Sequence, residues 1–190
     1  MYNVYEGKLV RLRPFVSIDE FRALSLEQGI ELNAHWGSWF WPLDQVKEDW
    51  KGSGLLGTGD YSSMAVERLD TGEMIGHEEY GLDFPHNPTG WIGTYIMRRH
   101  QGQRFGVEAK QLMMCFLFEN FPLLRLYSDT VETHLGAARG LKLCGMHYEG
   151  RHSKRVIQGG RYVDTVIYGM SRAQWEAMPY RSQVKRSAFW

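Results

Sequence analysis

The first alternation of apolar and polar positions is Leu9-Val10-Arg11-Leu12-Arg13, closed by Pro14, and it predicts an opening strand. Ser17 with Glu20 three residues on forms a capping box, so a helix is predicted from Ile18 to about Gln28, stopped by Gly29. Residues 30–42 read as loop, and Pro42 opens a second helix over Leu43–Lys51 that ends at Gly52-Ser53-Gly54. Strands are predicted at Ser62–Leu69, Met74–Phe84 and Trp91–Met97, the first two joined by the turn Asp70-Thr71-Gly72-Glu73. Phe105–Phe121 carries apolar residues at Val107, Leu112, Met113, Cys115, Phe116 and Phe118, and its length marks a largely buried helix ended by Pro122. A strand at Leu126–Val131, a short helix at Leu135–Cys144, strands at Met146–Val156 and Tyr162–Met170, and a short helix near Trp175 complete the pattern.

An antiparallel run of strands that feeds one long helix and then a further strand implies an α/β fold with a mixed sheet, not a doubly wound one. The length of 190 residues fits a single domain, with a core over about 8–178 and a tail over 179–190. The 22 basic and 22 acidic side chains cancel, which argues against a protein that binds nucleic acid or anionic membrane with its whole surface. The longest apolar run, around Leu112–Phe118, is too short to span a bilayer, and residues 1–8 carry no signal-peptide pattern. Cys115 and Cys144 have no CxxC spacing and are expected as reduced, buried thiols of a cytoplasmic protein. The histidines show no metal-ligand spacing, so no metal is expected; His77, His86, His100, His147 and His152 read as surface or core residues.

The most informative stretch is Arg98-Arg99-His100-Gln101-Gly102-Gln103-Arg104-Phe105-Gly106. It is a polar, Gly-containing turn between a strand and a buried helix, where unpaired helical N–H groups and the positive end of the macrodipole suit an anion such as pyrophosphate. On the strand before it, alternation places Met74, Glu78, Tyr80, Leu82 and Phe84 on one face and turns Glu79 the other way. Glu78 then has apolar strand neighbours; burial would raise its pKa and suit it to act as a general base, or it pairs with an Arg. His134, at the entry to the Leu135 helix, is a second candidate for base or donor-site contact, or a helix cap. The cluster Trp36, Trp39, Trp41 and Trp50 reads either as core or as an aromatic wall for an acceptor, and Trp36, Trp41 and Tyr80 are the substrate-binding candidates.

Several of these elements together resemble the GNAT superfamily of N-acetyltransferases, and more narrowly its branch that acetylates ribosomal-protein N-termini and many small amines. Trp91–Ile96 with Gln101-Gly102-Gln103-Arg104-Phe105-Gly106-Val107-Glu108-Ala109 resembles the family's fourth strand and pyrophosphate loop. Glu73-Met74-Ile75-Gly76, Cys144-Gly145-Met146-His147-Tyr148-Glu149-Gly150 and Gly160–Tyr168 resemble its third-strand opening, its Leu-Gly-Phe-x-x-Glu-Gly element and its final hairpin. The resemblance implies the GNAT fold, a mostly antiparallel mixed sheet flanked by helices, with acetyl-CoA as co-substrate. It implies pyrophosphate contacts from Gln101, Gly102, Gln103, Arg104, Phe105 and Gly106, and acyl-arm contacts from backbone groups near Ile96 and Met97. Three positions depart from the family pattern: Arg104 replaces the central Gly of the loop, His134 an Asn, and Leu141 the general-acid Tyr of many members.

The leading expectation is transfer of an acetyl or other acyl group from acyl-CoA to a primary amine, on a small molecule or a peptide N-terminus, by direct attack. Two alternatives keep the fold: a transferase with aminoacyl-tRNA as donor, motivated by Arg98, Arg99, Arg104, Arg151, Lys154, Arg155, Arg181, Lys185 and Arg186, and a non-catalytic binding protein. No membrane partner is expected, and the sequence is compatible with a homodimer.

Overall fold

The computed structural model describes residues 2–35, 43–57, 61–83 and 86–189. Its strands are β1 (Tyr2–Glu6), β2 (Val10–Arg13), β3 (Ser62–Arg68), β4 (Met74–Leu82), β5 (Thr89–Ile96), β6 (Arg125–Val131), β7 (His147–Gln158), β8 (Arg161–Ser171) and β9 (Lys185–Phe189). Its helices are α1 (Ile18–His35), α2 (Leu43–Ser53), α3 (Phe105–Asn120), α4 (Leu135–Leu143) and α5 (Arg172–Glu176). All the strands join one sheet in the order β7-β8-β6-β5-β4-β3-β2-β1-β9. Every neighbouring pair for which a register is defined is antiparallel except β5 with β6. The order of elements implied this mixed, mostly antiparallel α/β sheet, and it agrees with the fold that the resemblance implied.

Two differences from the sequence reading lie at the termini and in α1. β1 and β9 pair with each other over Tyr2–Phe189 to Glu6–Lys185. Lys185-Arg186-Ser187-Ala188-Phe189 has little intrinsic strand pattern, so its conformation comes from the partner that satisfies its backbone groups. The first helix does not stop at Gly29 but runs on to His35. An interior Gly costs a helix only about 1 kcal/mol relative to Ala, which tertiary packing overrides.

α3 covers one face of the sheet. Leu112, Met113, Leu117 and Phe118 pack with Leu12, Val66, Tyr80, Ile92 and Ile96 in the larger core. The opposite face carries Phe15, Phe21, Leu24, Val46, Ala65, Tyr95 and Met97, drawn from α1, α2 and the strands beneath them. The register slips between Val66 and Glu67 opposite Gly76, so parity reverses along β4. Met74 therefore packs against the α1 side, not on the face of Tyr80 and Leu82 where strict alternation put it.

Both ends of α3 are held by side chains. Glu108, in its first turn, accepts hydrogen bonds from the backbone N–H groups of Lys8 (2.9 Å), Leu9 (2.7 Å) and Val10 (2.9 Å). A carboxylate there also suits the positive end of the helix. At the other end the Arg172 guanidinium donates to the carbonyls of Phe118 (2.7 Å), Phe121 (2.8 Å) and Leu123 (2.7 Å). Between them Lys110 is buried, with Nζ 4.0 Å from Glu78 Oε2. Burial pushes the Glu78 pKa up to about 8, against the opposing pull of Lys110 and of the Thr94 hydroxyl.

Two outcomes follow. Glu108→Gln should lower stability by about 1.5–3 kcal/mol, the range for hydrogen bonds to a charged group, as read by urea unfolding. For Glu78 the unfolded carboxyl ionises near its ordinary value of 4.5 while the folded one keeps its proton to about 8. Stability from this group is therefore full at low pH and is lost as pH rises through that window. The wild type should lose unfolding free energy relative to Glu78→Gln as pH rises across it; a flat difference between the two proteins would contradict the assignment.

Candidate active site

β5 and β6 start side by side and then separate. They pair only over Thr89, Gly90 and Trp91 against Arg125, Leu126 and Tyr127 among the described residues. Beyond that point β5 stays on β4 as far as Ile96, and β6 stays on β8 as far as Val131. A wedge opens at the C-terminal ends of two parallel strands, the usual ligand position in α/β sheets. In an antiparallel ladder alternate residues aim both backbone groups at the same neighbour. Met97 donates its N–H to the Ile75 carbonyl at 2.8 Å, on the β4 side. Thr94 and Ile96 accordingly aim theirs across the wedge.

This alters one expectation. The Met97 amide is engaged within the sheet, and the Ile96 carbonyl accepts from Gln101 Nε2 at 2.8 Å. What remains of the predicted pair for an acyl arm is the Ile96 N–H, with the Thr94 N–H beside it.

The turn from β5 into α3 is exposed from Gln101 to Arg104. Gly102 has φ +76° and Arg104 φ +70°, both in the left-handed region. That is the region glycine enters most readily, so the geometry of a Gly is kept with an Arg in its place. Arg104 is the N-cap of α3 and makes no side-chain capping bond. Its side chain is exposed and enters no ion pair among the described residues. Gln103 is exposed and donates to the Arg99 carbonyl, whereas Phe105 is buried under the Arg68 guanidinium, 5.1 Å from its ring centroid. A Cβ on Gly106 would stand 3.2 Å from Ile96 Cγ1, so this position seats α3 on the strand.

α3 closes one face of the wedge, so an acceptor has to come from the other. Glu78 does not lie on that other face: it is fully buried beneath α3, in register with Thr94. Burial raises its pKa, as its apolar neighbours implied. Tyr80 also lies in the core; its ring packs on Phe116 and Phe121 and its hydroxyl donates to the Gly57 carbonyl at 3.1 Å. Trp36 and Trp41, with Trp39, lie outside the described residues. His134 is the N-cap of α4 without a side-chain capping bond, three residues beyond the end of β6.

The acceptor face instead presents residues not singled out from sequence. Glu79, with a side chain 18% exposed, accepts from the Tyr61 hydroxyl at 3.1 Å and lies 3.3 Å from His77 Nε2. A Cβ on Gly93 would come within 3.3 Å of Glu79 Oε2 and 3.7 Å of the Trp91 ring, so the absence of a side chain keeps the floor between them open. Tyr61 and Trp91 stand 6.4 Å apart as a tilted aromatic pair beside it. β7 reaches α1 along this side. His77 is a core residue, as one of its two sequence readings had it. The signal for Glu79 was present in the alternation, which set it opposite Glu78; what the sequence lacked was which face α3 covers.

Many of the cations that motivated a nucleic-acid donor are paired: Arg99 with Glu73, Arg151 with Asp164, Arg155 with Asp129, Lys185 with Glu6 and Arg186 with Glu119. Cys115 and Cys144 are free and buried, with pKa values pushed up to about 11 and about 12 by burial. No group of three or more metal-ligating side chains occurs among the described residues, and none of the described helices is long and apolar enough to cross a membrane.

Comparison with known proteins fits this geometry. The family profile for the acetyltransferase (GNAT) domain matches residues 10–147. A probable N-acetyltransferase of Bacillus subtilis, YjcK, is 30% identical over 76 residues, spanning 40% of this chain and 42% of that protein. Among solved structures, the ribosomal L7/L12 alpha-N-protein acetyltransferase RimL in complex with coenzyme A superposes with a TM-score of 0.74 at 16% identity, over 88% of this chain and 97% of that one. Spermidine N-acetyltransferase from Vibrio cholerae, in complex with CoA and spermine, gives 0.74 at 17% identity over 88% and 98%. With most of its length matched by the family profile and the strand wedge and helix turn in place, the chain belongs to the GNAT family of N-acetyltransferases.

Proposed function

We propose that the chain transfers an acetyl group from acetyl-CoA to a primary amine by direct attack, with Glu79 as the general base. The observation that carries this reading is the wedge between β5 and β6, with the exposed turn into α3 beside it and a carboxylate on the open face. The relatives that hold coenzyme A in their structures support the choice of donor, and those acting on a ribosomal protein and on spermidine support an amine acceptor. The residues fit such a donor. The Gln101 amide is taken up by the Arg98 carbonyl at 3.2 Å, which leaves the backbone amides from Gly102 to Gly106 for the anion, and Arg98 and Arg104 add exposed cations beside the turn. Thr94 and Ile96 present N–H groups to the amide-bearing arm.

The amine nitrogen attacks the thioester carbonyl and gives a proton to Glu79. The C–S bond then breaks, and the sulfur leaves as thiolate and takes up a proton to become the free thiol. Leu141 is buried and carries no proton, so the acid is not at that position. Glu79 accepts a hydrogen bond from the Tyr61 hydroxyl and lies 3.3 Å from His77 Nε2, and its partial exposure lets it meet the acceptor.

Glu79→Gln should reduce kcat by about 100-fold or more, the usual contribution of a general base, while acetyl-CoA affinity by titration calorimetry stays within a few-fold. Glu78→Gln should change kcat far less. Full turnover by Glu79→Gln at neutral pH would rule this base out. Arg104→Gly should raise stability by about 1 kcal/mol by removing a left-handed non-Gly residue, and should keep acetyl-CoA binding within about tenfold. A loss of 100-fold or more would place the anion contact on the guanidinium and not on the amides.

A further inference from the structure

The wedge between β5 and β6 has an end as well as a mouth. With the anion held at the turn into α3, the donor arm runs back along β5 past the N–H groups of Ile96 and Thr94. The acyl group then arrives at the level of Ile92 and Gly93. One residue further back the strands close: Trp91 pairs with Tyr127, and the two remain neighbours to Thr89 and Arg125. Paired strands lie about 4.8 Å apart with their backbone groups engaged, which leaves no path for a chain between them. A longer acyl group must therefore turn to one face of the sheet.

The face under α3 is shut. Ile92 is 2% exposed and Leu126 is fully buried, and both belong to the core that α3 covers. The open face narrows at the same level. Trp91 and Tyr127, paired across the two strands, project to the same side, and both are half-buried. The indole leans along β5 over the next residue on that side. A Cβ on Gly93 would stand 3.7 Å from Cζ3 of Trp91 and 3.3 Å from Glu79 Oε2. Apolar contact begins at about 4 Å between heavy atoms, so a single carbon already fills the space above Gly93. On β6 the next residue of this face is Asp129, ion-paired with Arg155, a poor surface for methylenes.

We propose that the Trp91–Tyr127 rung is an acyl-length gate: it closes the wedge just beyond the thioester, admits an acetyl group and turns away butyryl and longer chains, with Trp91 setting the limit. This rests on acetyl-CoA occupying the wedge as proposed above. It concerns the donor alone and holds whichever residue serves as the base.

Titration calorimetry with CoA, acetyl-CoA and butyryl-CoA reads the gate without any acceptor. The wild type should bind CoA and acetyl-CoA within a few-fold of each other. Butyryl-CoA should bind about tenfold or more weaker, since one methylene that a pocket cannot place is worth roughly 10–200-fold. Trp91→Leu opens a cavity at the end of the wedge and should bring butyryl-CoA to within about threefold of acetyl-CoA. With one acceptor amine common to all assays, the ratio of kcat/KM for butyryl-CoA over acetyl-CoA should rise by about tenfold or more in the same variant. Tyr127→Leu widens the rung from the other strand, should move both ratios the same way, and serves where Trp91→Leu fails to fold. Equal binding of butyryl-CoA and acetyl-CoA by the wild type, or ratios that neither substitution moves, would overturn the gate. Failure of the functional reading looks different: the three donors bind in the expected order, yet no amine is acylated. Binding of none of the three would take the donor out of the wedge and the gate with it.

Discussion

The site exists because β5 and β6 cannot remain paired. Each is bound along its outer edge to another strand, β5 to β4 and β6 to β8, and each ladder continues after the two have separated. The wedge is thus formed by rigid walls on both sides, not by a loop that could collapse into it. α3 then has to sit across one face, and Glu108 and Arg172 fix its two ends to the backbone of β1–β2 and of the segment before β6. An anion site at the start of a helix is only as well placed as the helix, and here its position is set by hydrogen bonds at both termini as well as by packing.

Glu78 and Glu79 show how one step along a strand divides chemistry. They have the same side chain and adjacent positions. Glu78 goes under α3 beside Lys110, where a charge is poorly solvated and the proton is held to about pH 8. Glu79 goes to the other face, where it is partly exposed, accepts from the Tyr61 hydroxyl and lies beside His77. A buried carboxyl with a raised pKa is a common mark of a functional group; the proposed base is nevertheless Glu79, because a base has to touch the proton it removes. The attraction of Lys110 at 4.0 Å only partly offsets the cost of burying a charge on Glu78, which therefore stays protonated at neutral pH.

Most of the architecture was legible in the sequence because it rests on local signals. Pro14, the Ser17–Glu20 capping box, the turn at Asp70–Glu73 and the long apolar stretch before Pro122 mark boundaries that the structure keeps. β1 and β9 were not legible, since each is a strand chiefly because the other supplies its backbone partner. Alternation separated Glu78 from Glu79 but could not say which face the helix would cover, as that depends on contacts between β4 and a helix some thirty residues later. The bulge at Ile75 reversed the parity of Met74 for a related reason: the slip belongs to the pairing with β3 and not to the residues of β4 alone.

Arg104 brings the local and the global together. A left-handed backbone costs a non-Gly residue roughly 1–2 kcal/mol, and no capping bond from its own side chain offsets this. The conformation persists because its surroundings dictate it. Phe105 is locked under Arg68, Gly106 is seated on Ile96, and Gln101 is tied to the Ile96 carbonyl, so the residues on both sides of the turn are fixed before Arg104 is placed. Strain that is kept where the fold over-determines it is a sign that the geometry serves a purpose. In this turn the left-handed backbone is set by those neighbours, and the exposed Arg104 side chain adds a positive charge beside it.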